Sequence, residues 1–523
     1  MCGIAGVIGL PGTKACLGSL PALLSPLGHR GTLRPSSRSY ANAALGCVRL
    51  PIVDSQGGTQ PMETARLAVV FNGEIYNHAA LREELEAKGV RFVSRSDTEV
   101  LLHGFAQWGE ALLDRLEGMY AFVLIDRVSG DFLAARDPFG IKPLYYVSTD
   151  EAWYFCSEIH PLLALGLGEV ALTPPGGHVL NGVVSGRQRY EEISPAPMGM
   201  ADAVRQFKAE LAASVESHLP PDDLPVAVFC SGGIDSSAIL FEAVEACKRR
   251  GWDPKTKLVT YSVGTASGED PQFAARLTEE LDVPFVFEQI SIDSMIEYIP
   301  FAVRVMESFE PNHIRAGTTS LALARRVAQD GFRVALLGEG ADELLGGYEE
   351  FPDAARRGAM GEVEDLLRVF SRQLHRTQLR RVDRTSMAFA LEARVPFLSR
   401  RLTRLINRIP TECKVYRRDD GEVIGKYVLR EAYRGLLPDY IVDRRKVPMG
   451  EGAGVGDNRP AGPFHAHSET AVCEEMFAHL VGTYPQFKLQ TKEEALYFSL
   501  FLERFGALPL AADRPRTNAL KTT

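Results

Sequence analysis

The second residue is a cysteine, and removal of Met1 would leave a thiol and a free α-amino group together on Cys2. Such an amine has an ordinary pKa of about 7.7–8.0, so much of it is neutral near pH 7.5 and can take the thiol proton. Nucleophile and base then sit on one residue, as in an N-terminal threonine activated by its own amine. The segment FNGEIYN places Asn72 and Gly73 after an apolar run. A side-chain amide and a backbone N–H at a tight turn are what an oxyanion needs in acyl transfer. Arg49, in VRLPIVD, offers a planar fork for a carboxylate. Glu74 and Asp97, in NGE and RSDTEV, offer acceptors for an ammonium group. The set describes a site for a free amino acid with a side-chain amide, and glutamine fits it.

A second set lies further along. VFCSGGIDSSAIL reads as strand, small-residue loop and helix. Ser231, Gly232 and Gly233 let the backbone approach an anion, and the helix N-terminus behind them points its N–H dipoles there. The GK[ST] element of a P-loop is missing. LLGEGADELLGGY follows another buried strand, and its Asp342 and Glu343 could join Asp235 on Mg²⁺ beside phosphate oxygens. Lys446, in DRRKVPMGEGAG, supplies a cation for developing phosphate charge.

The elements that must hold these residues change texture along the chain, and 523 residues call for two or three domains. The first part is short apolar strands with turns, such as RLAVVFNGEIYN and GMYAFVLIDRVSGDFLAARD. Two amphipathic helices, HAALREELEAKG and TEVLLHGFAQWGEALLDRL, interrupt them, which suggests a layered α+β sandwich. EEISPAPMGMAD is a seam without periodicity. Beyond it strands and helices alternate through PVAVFC, KLVTYSV, PQFAARLTEEL, PFVFEQI and FRVALLG, the pattern of a parallel α/β sheet, before a mostly helical C-terminal part. The expected domains are 2–200 and 201–512, with 513–523 a disordered tail and MGEGAGVGDNRPAGP a mobile loop.

Composition narrows the class. The net charge of −9 gives no electrostatic footprint for nucleic acid. No apolar run spans a membrane and the start lacks a secretion signal, so the chain is expected to be cytoplasmic, with neither nucleic acid nor membrane as partner. The eight cysteines are scattered without CxxC pairs, against a zinc site or a disulfide framework.

MCGIAGVIG, HRG, RLPIVD, FNGEIYN, SDTEV, GMYAFVLID and RDPFGIKPLYY resemble, over roughly residues 2–190, the class II glutamine amidotransferase domain. The resemblance implies an N-terminal-nucleophile hydrolase sandwich (αββα). Cys2 would attack the glutamine amide, Asn72 and Gly73 would hold the oxyanion, and Arg49, Glu74 and Asp97 would bind the substrate along with them. SGGIDSS resembles the PP-loop of ATP pyrophosphatases, and the order of pieces from about 203 to 510, with DRTSMAFALEARVPFL among them, is similar to the synthetase domain of glutamine-hydrolysing asparagine synthetase. That likeness implies an α/β PP-loop ATP pyrophosphatase domain using ATP and Mg²⁺. Ser231, Gly232, Gly233, Asp235, Ser236, Gly338, Glu339 and Gly340 would hold ATP and pyrophosphate. Val263 and Gly264 would line the adenine side, Glu339 would act as base on ammonia, and Lys446 would stabilise adenylate formation. Arg315, Glu392 and Ser399 would bind the acceptor, aspartate being the first choice. Ammonia would pass through the protein from one site to the other. A homodimer is held open.

The pattern also departs from the family. HRGTLRPSSRS stands where the family carries HRGPD, Ser399 stands for an aspartate, and Asn312 and His313 replace the threonines of bacterial asparagine synthetases. The usual Phe-containing stretch after Lys446 is absent. The last three departures fall near the expected acceptor pocket and raise a carboxylic acid other than aspartate, as in secondary metabolism, as the alternative. A phosphoribosyl or sugar-phosphate amidotransferase would share the first domain and need no PP-loop. A sensor that has lost turnover would have no use for Cys2, Asn72, Asp235, Glu339 and Lys446 together.

Overall fold

A computed structural model describes residues 2–10, 12–13, 17–186, 194–220, 224–455 and 462–506. The chain forms two units: Met1–Glu191 with Ser217–Leu224 and Met387–Glu392, and Glu192–Glu216 with Pro225–Ser386 and Ala393–Thr523.

The first unit is built on twelve strands among the described residues: β1 (Cys2–Gly9), β2 (Ser36–Ser39), β3 (Ala43–Arg49), β4 (Met62–Glu63), β5 (Leu67–Ile75), β6 (Gly118–Asp126), β7 (Phe132–Arg136), β8 (Tyr145–Ser148), β9 (Ala152–Cys156), β10 (Ala171–Leu172), β11 (His178–Leu180) and β12 (Val183–Ser185). They make two six-stranded sheets, ordered β10-β8-β9-β1-β3-β2 and β12-β11-β7-β6-β5-β4. The period-2 geometry of β5 shows how the layers arise. Ala68 and Val70 join Ile4, Ile8, Leu45 and Val123 in the core between the sheets. Val69 and Phe71 face the other way, onto Leu81, Leu85, Val100 and Leu101 of the helices His78–Ala87 and Thr98–Trp108. β1 is buried along its whole length, so its sequence is a continuous apolar run with no alternation. The expected long second helix stops at Gly109, whose φ of 56° ends it before Leu112–Arg115 resumes.

The second unit carries a five-stranded sheet: β13 (Val226–Phe229), β14 (Leu258–Gly264), β15 (Phe285–Gln289), β16 (Val334–Leu336) and β17 (Glu392–Arg394, its first residue counted with the first unit), ordered β15-β14-β13-β16-β17. The pairs β13/β14, β14/β15 and β13/β16 are parallel, with helices such as Ile234–Arg249 and Pro311–Gln329 as crossovers. The order turns around β13, which has β14 on one side and β16 on the other. Ligands of open α/β sheets bind beyond the carboxyl ends of the strands at such a switch point. The chain continues into SGGIDSS after β13 and into LGEGADE after β16.

In the stretch expected to be a mobile loop, Met449–Gly452 forms a short helix, and Ala453 O accepts the Thr265 N–H at 2.8 Å. Residues 456–461 of that stretch lie outside the described residues, as does the tail after 506. Among the described residues no helix is long and apolar enough to cross a membrane.

Candidate active sites

Cys2 opens β1 opposite Arg49 on β3, because the antiparallel register pairs the two. The backbone N of Cys2 donates to Asn72 Oδ1 at 3.0 Å. That contact orients the Asn72 amide, whose Nδ2 is buried and has no hydrogen-bond partner. A buried donor left open costs free energy unless a ligand uses it. Gly73 follows at φ 153°, and a Cβ there would run into the carbonyl of Met119. Gly73 lies inside β5, paired with Tyr120 on β6, and not at the tight turn expected from the sequence; only glycine fits that backbone conformation so close to the neighbouring strand.

A cleft of about 30 Å³ is lined by Cys2, Arg49, Gly73, Glu74 and Asp97, with Gln60 and Ser96 alongside. Arg49 is held by loop carbonyls, Nη1 to Ser55 O at 3.1 Å and Nη2 to Asp54 O at 2.6 Å. Gly58 lies against the same guanidinium, leaving no room for a side chain. Asp97 Oδ2 accepts the Ile75 N–H at 3.0 Å. Hydrogen bonding from the Cys47 thiol, with help from the positive charge of the chain's N-terminus, then the Leu50 N–H and the Arg49 charge, outweighs burial and draws the Cys2 thiol down to about 6. Gln60 was not singled out from the sequence; its Oε1 accepts the Phe71 N–H at 2.6 Å and its Nε2 reaches Cys2 Sγ at 4.0 Å. Glu392, expected at the acceptor pocket, lines this first cleft instead.

The second unit holds a cavity of about 310 Å³ beyond β13 and β16. Ser231, Asp235, Ser236, Val263, Gly338, Glu339, Asp342 and Lys446 all line it. Gly233 caps the helix Ile234–Arg249, and the Ser231 N–H donates to Ser236 Oγ at 3.2 Å, folding the loop onto the helix start. Gly232, at φ 68°, packs against Phe273, and Gly340, at φ 96°, against Leu398, both too closely for a side chain. Gly264 ends β14, close against Ala453.

Two lysines dominate the charge. Lys426 Nζ lies 2.5 Å from Asp235 Oδ2 and 2.5 Å from Asp342 Oδ1, with only 2% of its side chain exposed. Lys446 Nζ donates to Asp342 Oδ2 at 2.7 Å. Burial pushes both carboxyls up; at Asp342 the two ammonium groups outweigh it and hold the carboxyl well below the usual range, whereas at Asp235 burial prevails. Glu343 is placed apart from this pair and accepts the Tyr348 hydroxyl at 2.5 Å, while burial, then the neighbouring Asp342 charge, lifts it to about 7. Arg381 lines the same cavity, bonded to Glu339 Oε1 at 2.8 Å and to Ser320 Oγ at 2.9 Å. Lys426, Tyr348 and Arg381 were missed from sequence, where each is a common residue on a helix or loop with no local pattern to mark it.

The expected acceptor residues do not gather here. Arg315 Nε donates to Glu493 Oε1 at 2.7 Å and Nη2 to the other oxygen, a bidentate pair within the second unit. Ser399 caps the helix Arg400–Arg408, its Oγ accepting the Leu402 N–H at 3.3 Å. His313 is buried, its Nδ1 3.2 Å from Ser308 Oγ. Asn312 Nδ2 lies 3.3 Å from Glu310 Oε1 at an exposed position.

A cysteine at the second position on a cleft with Arg49, Glu74 and Asp97, followed by a PP-loop at a sheet switch point, defines a glutamine amidotransferase joined to an ATP-dependent synthetase. The comparisons agree: residues 1–200 match the glutamine amidotransferase domain family, and residues 206–363 and 356–504 match asparagine synthase. The chain is 30% identical over 526 residues to an Arabidopsis thaliana protein named asparagine synthetase [glutamine-hydrolyzing] 2, covering 97% of this chain and 87% of that one. It is 31% identical over 529 residues to asparagine synthetase [glutamine-hydrolyzing] 3 of the same plant, with the same coverage. To asparagine synthetase [glutamine-hydrolyzing] 2 of Oryza sativa subsp. japonica it is again 31% identical, covering 97% of this chain and 85% of the relative. The chain belongs to the glutamine-hydrolysing asparagine synthetase family.

Proposed function

We propose that this enzyme forms a carboxamide at the expense of ATP, with nitrogen taken from glutamine and aspartate as first-choice acceptor. With Met1 removed, the Cys2 sulfur attacks the glutamine side-chain carbonyl and the C–N bond breaks. Nitrogen leaves as ammonia with a proton relayed by the α-amine, and water then cleaves the thioester to glutamate. Asn72 Nδ2 and the Gly73 N–H stabilise the oxyanion, Arg49 takes the substrate carboxylate, and Glu74 and Asp97 take its ammonium. The observation that carries this part is the buried Asn72 amide, its oxygen tied to the Cys2 nitrogen and its nitrogen left open. Asn72→Ala should therefore lower kcat for glutamine hydrolysis by about 10²–10³-fold, with KM little changed, measured as glutamate release.

In the second unit a carboxylate oxygen attacks the α-phosphorus of ATP and pyrophosphate leaves. Ammonia, deprotonated by Glu339 as it bonds, displaces AMP from the acyl carbon. Ser231 to Ser236 receive the pyrophosphate, Val263 and Gly264 the adenine side, and Lys446 the developing phosphate charge. Asp235 Oδ1 is buried without a hydrogen-bond partner, a hard oxygen donor that fits Mg²⁺, so Asp235 and Asp342 are the residues that would hold the ion. When bound, the metal would neutralise phosphate charge.

The alternative acceptor, a carboxylic acid other than aspartate, is favoured by one observation: the Arg315 fork is already filled by the Glu493 carboxylate. Purified enzyme given glutamine, ATP and a panel of carboxylic acids decides between them. Aspartate should support stoichiometric AMP and asparagine. Glutamine hydrolysis without aspartate-dependent AMP, while another acid drives AMP release, would remove aspartate as acceptor.

A further inference from the structure

Cys47 is a second thiol in the first site, and nothing in the mechanism above uses it. Residues that face each other across an antiparallel pair point to the same side of the sheet. Cys2 faces Arg49 and Ile4 faces Cys47, so Cys2 and Cys47 are diagonal neighbours on the inner side. Both belong to the inter-sheet core, with 5% and 0% of their surfaces exposed. The rest of that core cluster is overwhelmingly apolar, including Ile4, Leu45, Val70 and Val123. A thiol there is ordinarily inert filling.

Two features make the pair unequal. Cys2 stands at the cleft and has the Arg49 charge, the Leu50 N–H and the Gln60 amide about it. Cys47 has no exposed surface and does not line the cleft. Both sulfurs feel Arg49, yet burial and the neighbouring sulfur keep Cys47 protonated well above the ordinary thiol range, with Cys2 as its hydrogen-bond partner. Of the two protons, the Cys2 proton leaves first, and the Cys47 S–H remains to donate. A thiol is a weak donor to neutral groups, but a bond to a thiolate is charge-assisted.

We propose that Cys47 is a positioning residue for the nucleophile, donating an S–H hydrogen bond that holds Cys2 Sγ as an anion in the cleft before glutamine arrives. The proposal rests on Cys2 being the nucleophile. Cys47 touches no substrate; it acts by setting how much of Cys2 is ionised and where the sulfur sits. The donor strength matters, not merely the volume, so serine should replace it in part and alanine or valine should not.

The test is the pH dependence of Cys2 alkylation by iodoacetamide, without glutamine, read by mass mapping of the N-terminal peptide. Wild type, Cys47→Ser, Cys47→Ala and Cys47→Val are compared, with thermal melting of each full-length variant confirming that it is folded. The wild-type curve should rise near pH 6. In the alanine and valine variants the midpoint should move up by a pH unit or more, with alkylation at pH 6.5 slowed about fivefold or more, whereas serine recovers much of the shift. The kcat for glutamine should fall in parallel at low pH, with KM nearly constant. Coincident alkylation curves for wild type and both apolar variants would overturn the proposal. Glutamine hydrolysis that survives complete alkylation of Cys2 would overturn the nucleophile assignment itself, a result distinguishable from the first.

Discussion

Cys2→Ala should abolish glutamine hydrolysis, lowering glutamate release by at least about 10³-fold, while AMP formation supplied with ammonium stays at the wild-type level. Alanine at the second position still exposes an α-amine once Met1 is removed, so the variant deletes the sulfur and keeps the base. The Asn72 amide and the Gly73 backbone in β5 remain, because the Asn72 contact is made by the backbone nitrogen of residue 2 and not by its side chain. What is left is an oxyanion site with no attacking atom, and only water can substitute. The proposed synthetase chemistry draws on Asp235, Glu339, Asp342 and Lys446, all lining the other cavity, so external ammonium should restore it. The paired assay is glutamate release against AMP release, each with glutamine or ammonium. Continued glutamate release from the alanine variant would mean that another group is the nucleophile.

The chemistry that a short segment can encode is legible in the sequence. FNGEIYN places an amide and a glycine in adjacent positions, and the backbone alone fixes their relation. SGGIDSS is likewise local: the strand, the glycine turn and the helix start are contiguous, and β13 and the helix Ile234–Arg249 form where the pattern requires. The order of elements also separated a layered sandwich from a parallel sheet, because strands in runs and strands alternating with helices build different layers. What escaped were partnerships set by tertiary packing. Arg315 has the right side chain for a substrate carboxylate, yet Glu493, 178 residues away, occupies it. Ser399 sits where an acceptor contact was expected, but a serine before a helix is also a cap, and that is the role it takes. Cys47 lies two residues before Arg49, and only the β1/β3 register brings it to Cys2.

Lys426→Met should lower ammonium-supported AMP and pyrophosphate formation by about 10³-fold or more, and leave glutamine hydrolysis within about twofold. Its ammonium reaches Asp235, 191 residues away at the PP-loop, and also Asp342 after β16. Removing one partner of a buried ion pair typically costs about 3–5 kcal/mol, because the remaining charge has no water to solvate it. Lys446 would remain on Asp342, but Asp235 would lose its ion-pair partner and face the Asp342 carboxylate, which it would relieve by taking up a proton or by moving away. Either response alters the loop that receives pyrophosphate, since Gly338 packs directly against Asp235 and Ser236 with no space to absorb a shift. Lys426 is also held at φ 56°, a left-handed conformation uncommon outside glycine, and Gly347 has no side chain where Lys426 and Asp342 meet. That placement ties Asp235 to Asp342, the two carboxylates of the proposed phosphate site. Cys2→Ala and Lys426→Met should therefore dissociate the two activities in opposite directions. A Lys426→Met enzyme that melts as a folded protein and still releases pyrophosphate at the wild-type rate would show that this cation serves packing alone.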